Sequence, residues 1–294
     1  MQNPLSDSYF PETPDEDLIK QAIEGDKKSL EQLIIRHQDW IYNIALRMLH
    51  SPEDAKDVLQ ETLIKIVTKL SQFRYESSFR TWAYRIVVNH ILNTKRSYGE
   101  TTHTDNFDQY SYLINTAPDA NMPEYLTPYE RRATVEEVMI SCMFGMLLCL
   151  DREQRMIFVL GSVLSASDTI GAEIMEISKD NFRQRLSRAR KDLYNFMTNQ
   201  CGLVDKKNPC RCSKKTKVLI DSGYVDPKNT KFFKEKYYSI SLMAEEKRTE
   251  LQEFMDDKCE KLFRDHPFYH STEAAIVIKD LFDRDEFKKI FNFN

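Results

Sequence analysis

Residues Ser78–Arg96 read SFRTWAYRIVVNHILNTKR, and residues Ser178–Lys191 read SKDNFRQRLSRARK. Each combines an apolar stripe at helical spacing with a crowd of arginine and lysine. The first holds no acid and the second only Asp180. A solvated charged face usually mixes its signs, so two nearly acid-free cationic helices point to a polyanion such as nucleic acid. On separate folded units they would touch one nucleic acid at two separated places.

The surroundings of the first stretch are helical. Ser51-Pro52-Glu53-Asp54 is a helix start: serine caps, proline fits the first turn, and the acids suit the positive end of the dipole. Apolar residues then recur at Ala55, Val58, Leu59, Leu63, Ile66, Val67 and Leu70, a three/four spacing. Leu33, Ile34, Trp40, Ile41, Ile44, Ala45 and Met48 predict a helix before it. Phe79, Trp82, Ala83, Ile86, Val87, His90 and Ile91 predict one after it. Short turns between amphipathic helices allow one shared core over residues 17–96, a three- or four-helix bundle.

Residues 1–16 are acidic and polar and are expected to form a disordered tail. Residues 97–130 lose the periodicity. They hold Pro118, Pro123 and Pro128 and six acids (Glu100, Asp105, Asp108, Asp119, Glu124 and Glu130), with no lysine or arginine, and so read as a flexible acidic linker. Helical pattern resumes over 131–199. Leu147, Leu148, Met156, Ile157, Val159 and Leu160 belong to its first two helices. A short helix with Ile170 and Ile174 breaks at Ile177-Ser178, and a longer one follows with Phe182, Leu186, Ala189, Leu193 and Phe196 inward. Short helix, tight turn and longer basic helix is the layout of a helix-turn-helix. The extension 200–294 carries helical patterns around Leu242–Phe263 and Thr272–Phe291. The fold expected is all-α: two small helical domains joined by the acidic linker, plus a mostly helical C-terminal extension.

Composition narrows the function. The chain has 294 residues, 7 Gly, 10 Pro and a net charge of −4, so it is neither turn-rich nor a generic binder of polyanions, and contact must come from local patches. No apolar run reaches membrane-spanning length. The start, MQNPLSDSYFPETPDED, has no secretory pattern. A cytoplasmic protein with reduced thiols is expected. No Gly-rich phosphate loop and no HExxH appear, so no enzyme activity is expected.

In the second basic helix Lys179, Arg183, Arg185, Arg188, Arg190 and Lys191 oppose one acid. The N-terminal residues of such a helix meet base edges in the major groove. Ser178, Lys179, Asn181 and Gln184 are placed for this. The arginines would divide between guanine edges and phosphates. In the first basic helix Arg85, Asn89 and Arg96 lie off the apolar stripe. Tyr75, Tyr84 and Trp82 beside Arg80 and Arg85 would suit an unpaired strand, where bases stack on rings and cations follow phosphates. An aromatic at helical spacing is also the ordinary mark of a core.

DAKDVLQETLIKIVTKLSQFR followed by SFRTWAYRIVVNHILNTKR resembles region 2 of the extracytoplasmic-function (ECF) group of the sigma-70 family. LLCLDREQRMIFVL, with the helix-turn-helix ending in RQRLSRARKDL, resembles region 4. The likeness spans about Asp17 to Asn199 in the family's order. It implies a sigma factor that binds core RNA polymerase, recognises −10 and −35 promoter elements and promotes transcription initiation, with an anti-sigma factor as a candidate partner. By resemblance, Asp54, Asp57, Gln60 and Glu61 would dock on the polymerase clamp helices. Arg80, Trp82, Arg85, Asn89, Asn93 and Arg96 would melt and read the −10 element. Ser178, Lys179, Asn181, Arg183, Gln184, Arg185 and Arg188 would read the −35 element. The acidic linker would stand in for RNA in the polymerase exit path or serve as a tether. The chain departs from the family at Lys56, Asn93 and Asp151, at Gly171, where an apolar residue is usual, and at Glu176, where the turn usually has Gly or Asn.

The extension is not standard for that group, though it resembles the cysteine-rich tails of some members. Cys201, Cys210 and Cys212 form C-x8-C-x-C. Three thiolates and a fourth ligand from Cys259, His266 or His270 would suit tetrahedral zinc. The pattern lacks a C-x2-C pair, so buried or redox-active free thiols are the alternative. No cofactor is required by the reading. Two rival functions are a helix-turn-helix regulator that works without polymerase and a metal- or thiol-responsive sensor acting through these cysteines.

Overall fold

The computed structural model describes residues 2–95, 100–101, 106–232, 255–264 and 268–270. Those residues are helical and turn-forming, with an isolated bridge between Cys201 and Cys210. The chain divides into two compact units. The first takes the described residues of Met1–Tyr98, Val159–Gln184 and Phe268–Asn294, and the second those of Gly99–Phe158 and Arg185–Pro267. The helix-turn-helix therefore begins in the same unit as the N-terminal bundle.

In the first unit the helices are α1 (Asp15–Ile23), α2 (Lys27–Leu49), α3 (Pro52–Thr68) and α4 (Phe79–Asn93). Their starts are written in the sequence. The Asp26 carboxylate accepts from the Lys28 and Ser29 amides, and the Ser51 hydroxyl accepts from the Asp54 amide at 3.2 Å with Pro52 in the first turn. His50 ends α2 at φ 55°. Leu33, Ile41, Ile44, Val58, Leu63, Val67, Phe79 and Val87 fill the core. Asp15 is buried against Tyr9, Arg36 and His37.

The N-terminal residues differ from the expected tail. Leu5 is fully buried, Asn3 Nδ2 donates to the Leu164 carbonyl at 2.7 Å, and Arg80 donates to the Pro4 and Ser6 carbonyls. One leucine and a few main-chain acceptors anchor the segment despite its acidic composition.

After the π turn Val159–Val163, α8 (Asp168–Met175) starts at the Ser167 cap. Glu176 takes the left-handed conformation at φ 55°, the turn position singled out by sequence. Helix α9 (Lys179–Gln200) follows, and the unit boundary falls within it. A Cβ at Gly171 would run into the Phe182 ring. The missing side chain makes room for that phenyl group.

In the second unit are α5 (Phe107–Thr116), α6 (Pro128–Leu148), α7 (Arg152–Phe158), α9 from Arg185 onward, α10 (Cys212–Asp221) and α11 (Met255–Arg264). The described residues of the expected linker are structured here. Asn106 caps α5, and Phe107 and Tyr110 pack on Phe196 at centroid distances of 5.4 and 5.5 Å. Glu100 is buried between Arg152 and Arg155, at 3.0 and 2.9 Å. Aromatic spacing and one desolvated carboxylate outweigh the linker-like composition. The helix expected near Leu242–Phe263 is described only over Met255–Arg264, and that expected at Thr272–Phe291 lies outside the described residues. No helix among the described residues is long and apolar enough to cross a membrane.

Candidate nucleic-acid interface

Helices α3 and α4 of the first unit enclose an open groove of about 650 Å³. Trp82, Arg85, Asn89 and Asn93 come from α4, one side of which is set by the burial of Phe79, Ala83, Val87 and Ile91. Lys65 and Lys69 come from α3. An indole wall, amide side chains and three cations in a solvent-open cleft match what an unpaired strand needs. Trp82 is fixed by Phe73 and Phe79, at 5.4 and 5.8 Å between ring centroids.

Sequence reasoning missed Lys65, Lys69 and His90. The lysines belong to the preceding helix, and their meeting with α4 depends on the helix crossing. His90 Nδ1 accepts from Lys65 Nζ at 2.5 Å, and Nε2 faces Glu61 at 3.4 Å. Burial and the Lys65 charge lower the His90 pKa, with Glu61 opposing. A neutral imidazole thus orients Lys65 toward the groove side of α3.

Two expected groove residues are otherwise engaged. Arg80 holds the N-terminal segment and lies over the Tyr9 ring, outside the groove lining. Arg85 lines the groove, while its Nε donates to the Glu173 carbonyl at 2.7 Å. Tyr84 corrects the aromatic platform: it is wholly buried, faces His37, and burial pushes its hydroxyl pKa well up. Tyr75 is exposed, at φ 59°. Arg96 lies outside the described residues.

On α3, Asp57 and Glu61 are exposed and Asp54 and Gln60 half-buried. Positions 54, 57 and 61 are three and four apart, so they share a face. Along α9, Ser178, Lys179, Arg183 and Gln184 are exposed and Asn181 is half-buried, with the Ser178 hydroxyl accepting from the Asn181 amide at 3.2 Å. Arg183 pairs with Asp168 and Asp180 at its surface. In the second unit Arg188 is exposed, while Arg185 pairs with Glu153 and Arg190 with Glu260. Phe182, Leu186, Ala189, Leu193 and Phe196 are buried as expected.

The cysteines of the extension come together around one small cavity. Cys201, Cys210 and Cys212 line a cavity of about 20 Å³, joined by Cys142 of α6. Among the described residues no group of three or more His, Cys, Asp or Glu is arranged to hold a metal ion. Burial pushes the Cys201 thiol up to about 11 and raises Cys142 too. A hydrogen bond with Cys210 raises Cys212, and the same bond lowers Cys210. Of the fourth-ligand candidates, Cys259 is buried in α11, His270 binds Asp39 at 2.8 Å, and His266 lies outside the described residues.

Residues 33–101 match the family model for sigma-70 region 2. The chain is 26% identical over 180 residues to the RNA polymerase sigma-H factor of Pseudomonas aeruginosa, covering 60% of this chain and 90% of that protein. It is 29% identical over 184 residues to the ECF RNA polymerase sigma-E factor of Haemophilus influenzae, covering 62% and 94%. With the sigma-E factor of Escherichia coli the identity is 28% over 181 residues, covering 62% and 93%. A solved chain from the structure of CnrH in complex with the cytosolic domain of CnrY matches with a TM-score of 0.46 at 21% identity, over 63% of this chain and 97% of that one. The region 2 match takes in α3, α4 and the groove between them, and the similarity to RNA polymerase sigma factors runs well beyond it, over 180 residues with the sigma-H factor and 184 with the Haemophilus sigma-E factor.

Proposed function

We propose that this chain binds core RNA polymerase, directs it to promoters and helps open the DNA at the −10 element. The groove carries the reading: an indole, two asparagines and three cations, open to solvent and lined from two helices. An unpaired nucleotide strand supplies both the ring to stack on Trp82 and the phosphates for Lys65, Lys69 and Arg85. The acidic face at Asp54, Asp57, Gln60 and Glu61 is the polymerase-docking surface. Ser178, Lys179, Asn181, Arg183, Gln184, Arg185 and Arg188 read the −35 duplex, supported by their place on the second helix of a helix-turn-helix. The chain contributes binding and strand separation, and nucleotide polymerisation belongs to its partner. A protein with these two partners acts in the cytoplasm.

Transcription in vitro with core polymerase on genomic fragments tests the reading. Initiation at discrete sites that depends on this protein is the expected result; failure to compete with another sigma factor for core enzyme overturns it. Reversing Arg183 and Arg185 to glutamate should abolish −35-dependent initiation and spare core binding. Phosphate contacts make both measurements salt-dependent, so each is made across a salt series.

A further inference from the structure

The chain leaves α9 at Cys201, turns back, and brings Cys210 opposite it across an isolated parallel bridge. The reversal is firmly built. Asn208 Nδ2 donates to the carbonyls of Thr198 and Cys201, each at 2.9 Å, and the Cys210 amide donates to the Gln200 carbonyl at 3.1 Å. Gly202 permits the close return, since a Cβ there would collide with the Cys210 carbonyl. Bridged strands lie about 4.7–4.9 Å apart, inside the roughly 4.4–6.8 Å Cα separation that a disulfide spans. Both cysteines are free, and both line the same small cavity.

Among the described residues no three of these donors are set to hold a metal ion. We propose that Cys201 and Cys210 are instead an oxidisable pair, closing an intrachain disulfide when the protein meets a peroxide. One sulfur, as thiolate, attacks an oxygen of hydrogen peroxide. The O–O bond breaks, leaving a sulfenic acid and hydroxide, which takes up the proton that the thiol gave. The second thiol sulfur attacks the sulfenic sulfur; the S–S bond forms, the S–O bond breaks and water leaves. Two thiols lose two electrons and one peroxide becomes two waters. The bond ties the end of α9 to the start of α10, which packs on α6. It marks the extension with the cell's oxidation state, whatever the chain binds elsewhere.

The test uses the full chain, reduced, desalted and treated with hydrogen peroxide, then alkylated, digested and mapped by mass spectrometry. The expected result is a loss of two thiols from the six of the reduced chain, with the Cys201 and Cys210 peptides cross-linked and the link cleaved by dithiothreitol. C212S and C142S keep the bond. C201S and C210S lose it, and the remaining partner is trapped as a sulfenic acid by dimedone. No loss of thiols, or a link from Cys210 to Cys212 or Cys142, overturns the proposal. So does one zinc or copper per chain in the reduced protein that disappears in C201S. Mapping the wild-type chain decides the matter even if a variant fails to fold.

Discussion

Arg85 Nε donates to the main-chain carbonyl of Glu173 at 2.7 Å, and the Thr81 hydroxyl donates to the Glu173 carboxylate at 3.1 Å. The first helix of the helix-turn-helix, α8, thus sits on α4, the helix proposed to read the −10 strand. A cation already satisfied by an internal carbonyl has less to offer a phosphate.

Replacing Glu173 with alanine removes the Thr81 contact that helps hold α8, and with it the Glu173 carbonyl, against Arg85. A hydrogen bond to a charged group contributes about 1.5–3 kcal/mol, part of which water restores at this exposed position. A fluorescent single strand of −10 sequence should therefore bind roughly fivefold more tightly to Glu173→Ala, about 1 kcal/mol. Equal or weaker binding would mean that α8 does not restrain the groove.

Trp82 should be the principal stacking surface. Its replacement by alanine should weaken strand binding by about 1–3 kcal/mol, while Asn89→Ala, at an exposed position, lowers promoter opening without changing the melting temperature. Core polymerase should bind both variants as it binds the parent. Permanganate footprinting of the melted region, beside a core-binding titration, checks the pair.

Local signals were legible where the chemistry is local. Ser51 and Pro52 announced α3, and Ile177-Ser178 announced the turn that Glu176 completes. The groove was half legible, because the α4 residues share one helix whereas Lys65 and Lys69 enter through packing. Tyr84 misled because its burial depends on His37 of α2. Cys142 stands fifty-nine positions before Cys201, and no spacing rule links them; only the packing of the extension on α6 does. Residues 1–16 looked unstructured because one leucine weighs little in a composition, yet Leu5 is wholly enclosed.

Gly171 gives a stability test of the same helix pair. Alanine in a helix is ordinarily favoured over glycine by about 1 kcal/mol, but here its methyl group meets the Phe182 ring. Overpacking costs about 1–3 kcal/mol, so Gly171→Ala should destabilise the first unit by about 1 kcal/mol. In a Phe182→Leu background the same change should become neutral or favourable. Both tryptophans, Trp40 and Trp82, lie in that unit, so their emission during urea unfolding reads it. Equal effects in the two backgrounds would refute the contact.

Asp15 sets how the first unit responds to acid. Burial alone would raise its carboxyl pKa, but the His37 hydrogen bond and charge, with the Arg36 hydrogen bond and charge, hold it below the ordinary value. A depressed folded pKa gives stability that is complete above the unfolded value, about 3.9, and lost as the pH falls through the folded one. Asp15→Ala leaves Arg36 and His37 without their shared partner, which should cost about 3 kcal/mol at pH 7. The gap between parent and variant should stay constant from pH 7 to about 5 and shrink below about 4, as the parent's own carboxylate takes up its proton. Tryptophan-monitored urea curves at pH 7, 5 and 3 measure it. A gap that widens toward pH 3 would show that the carboxylate is not the group holding α1 to α2.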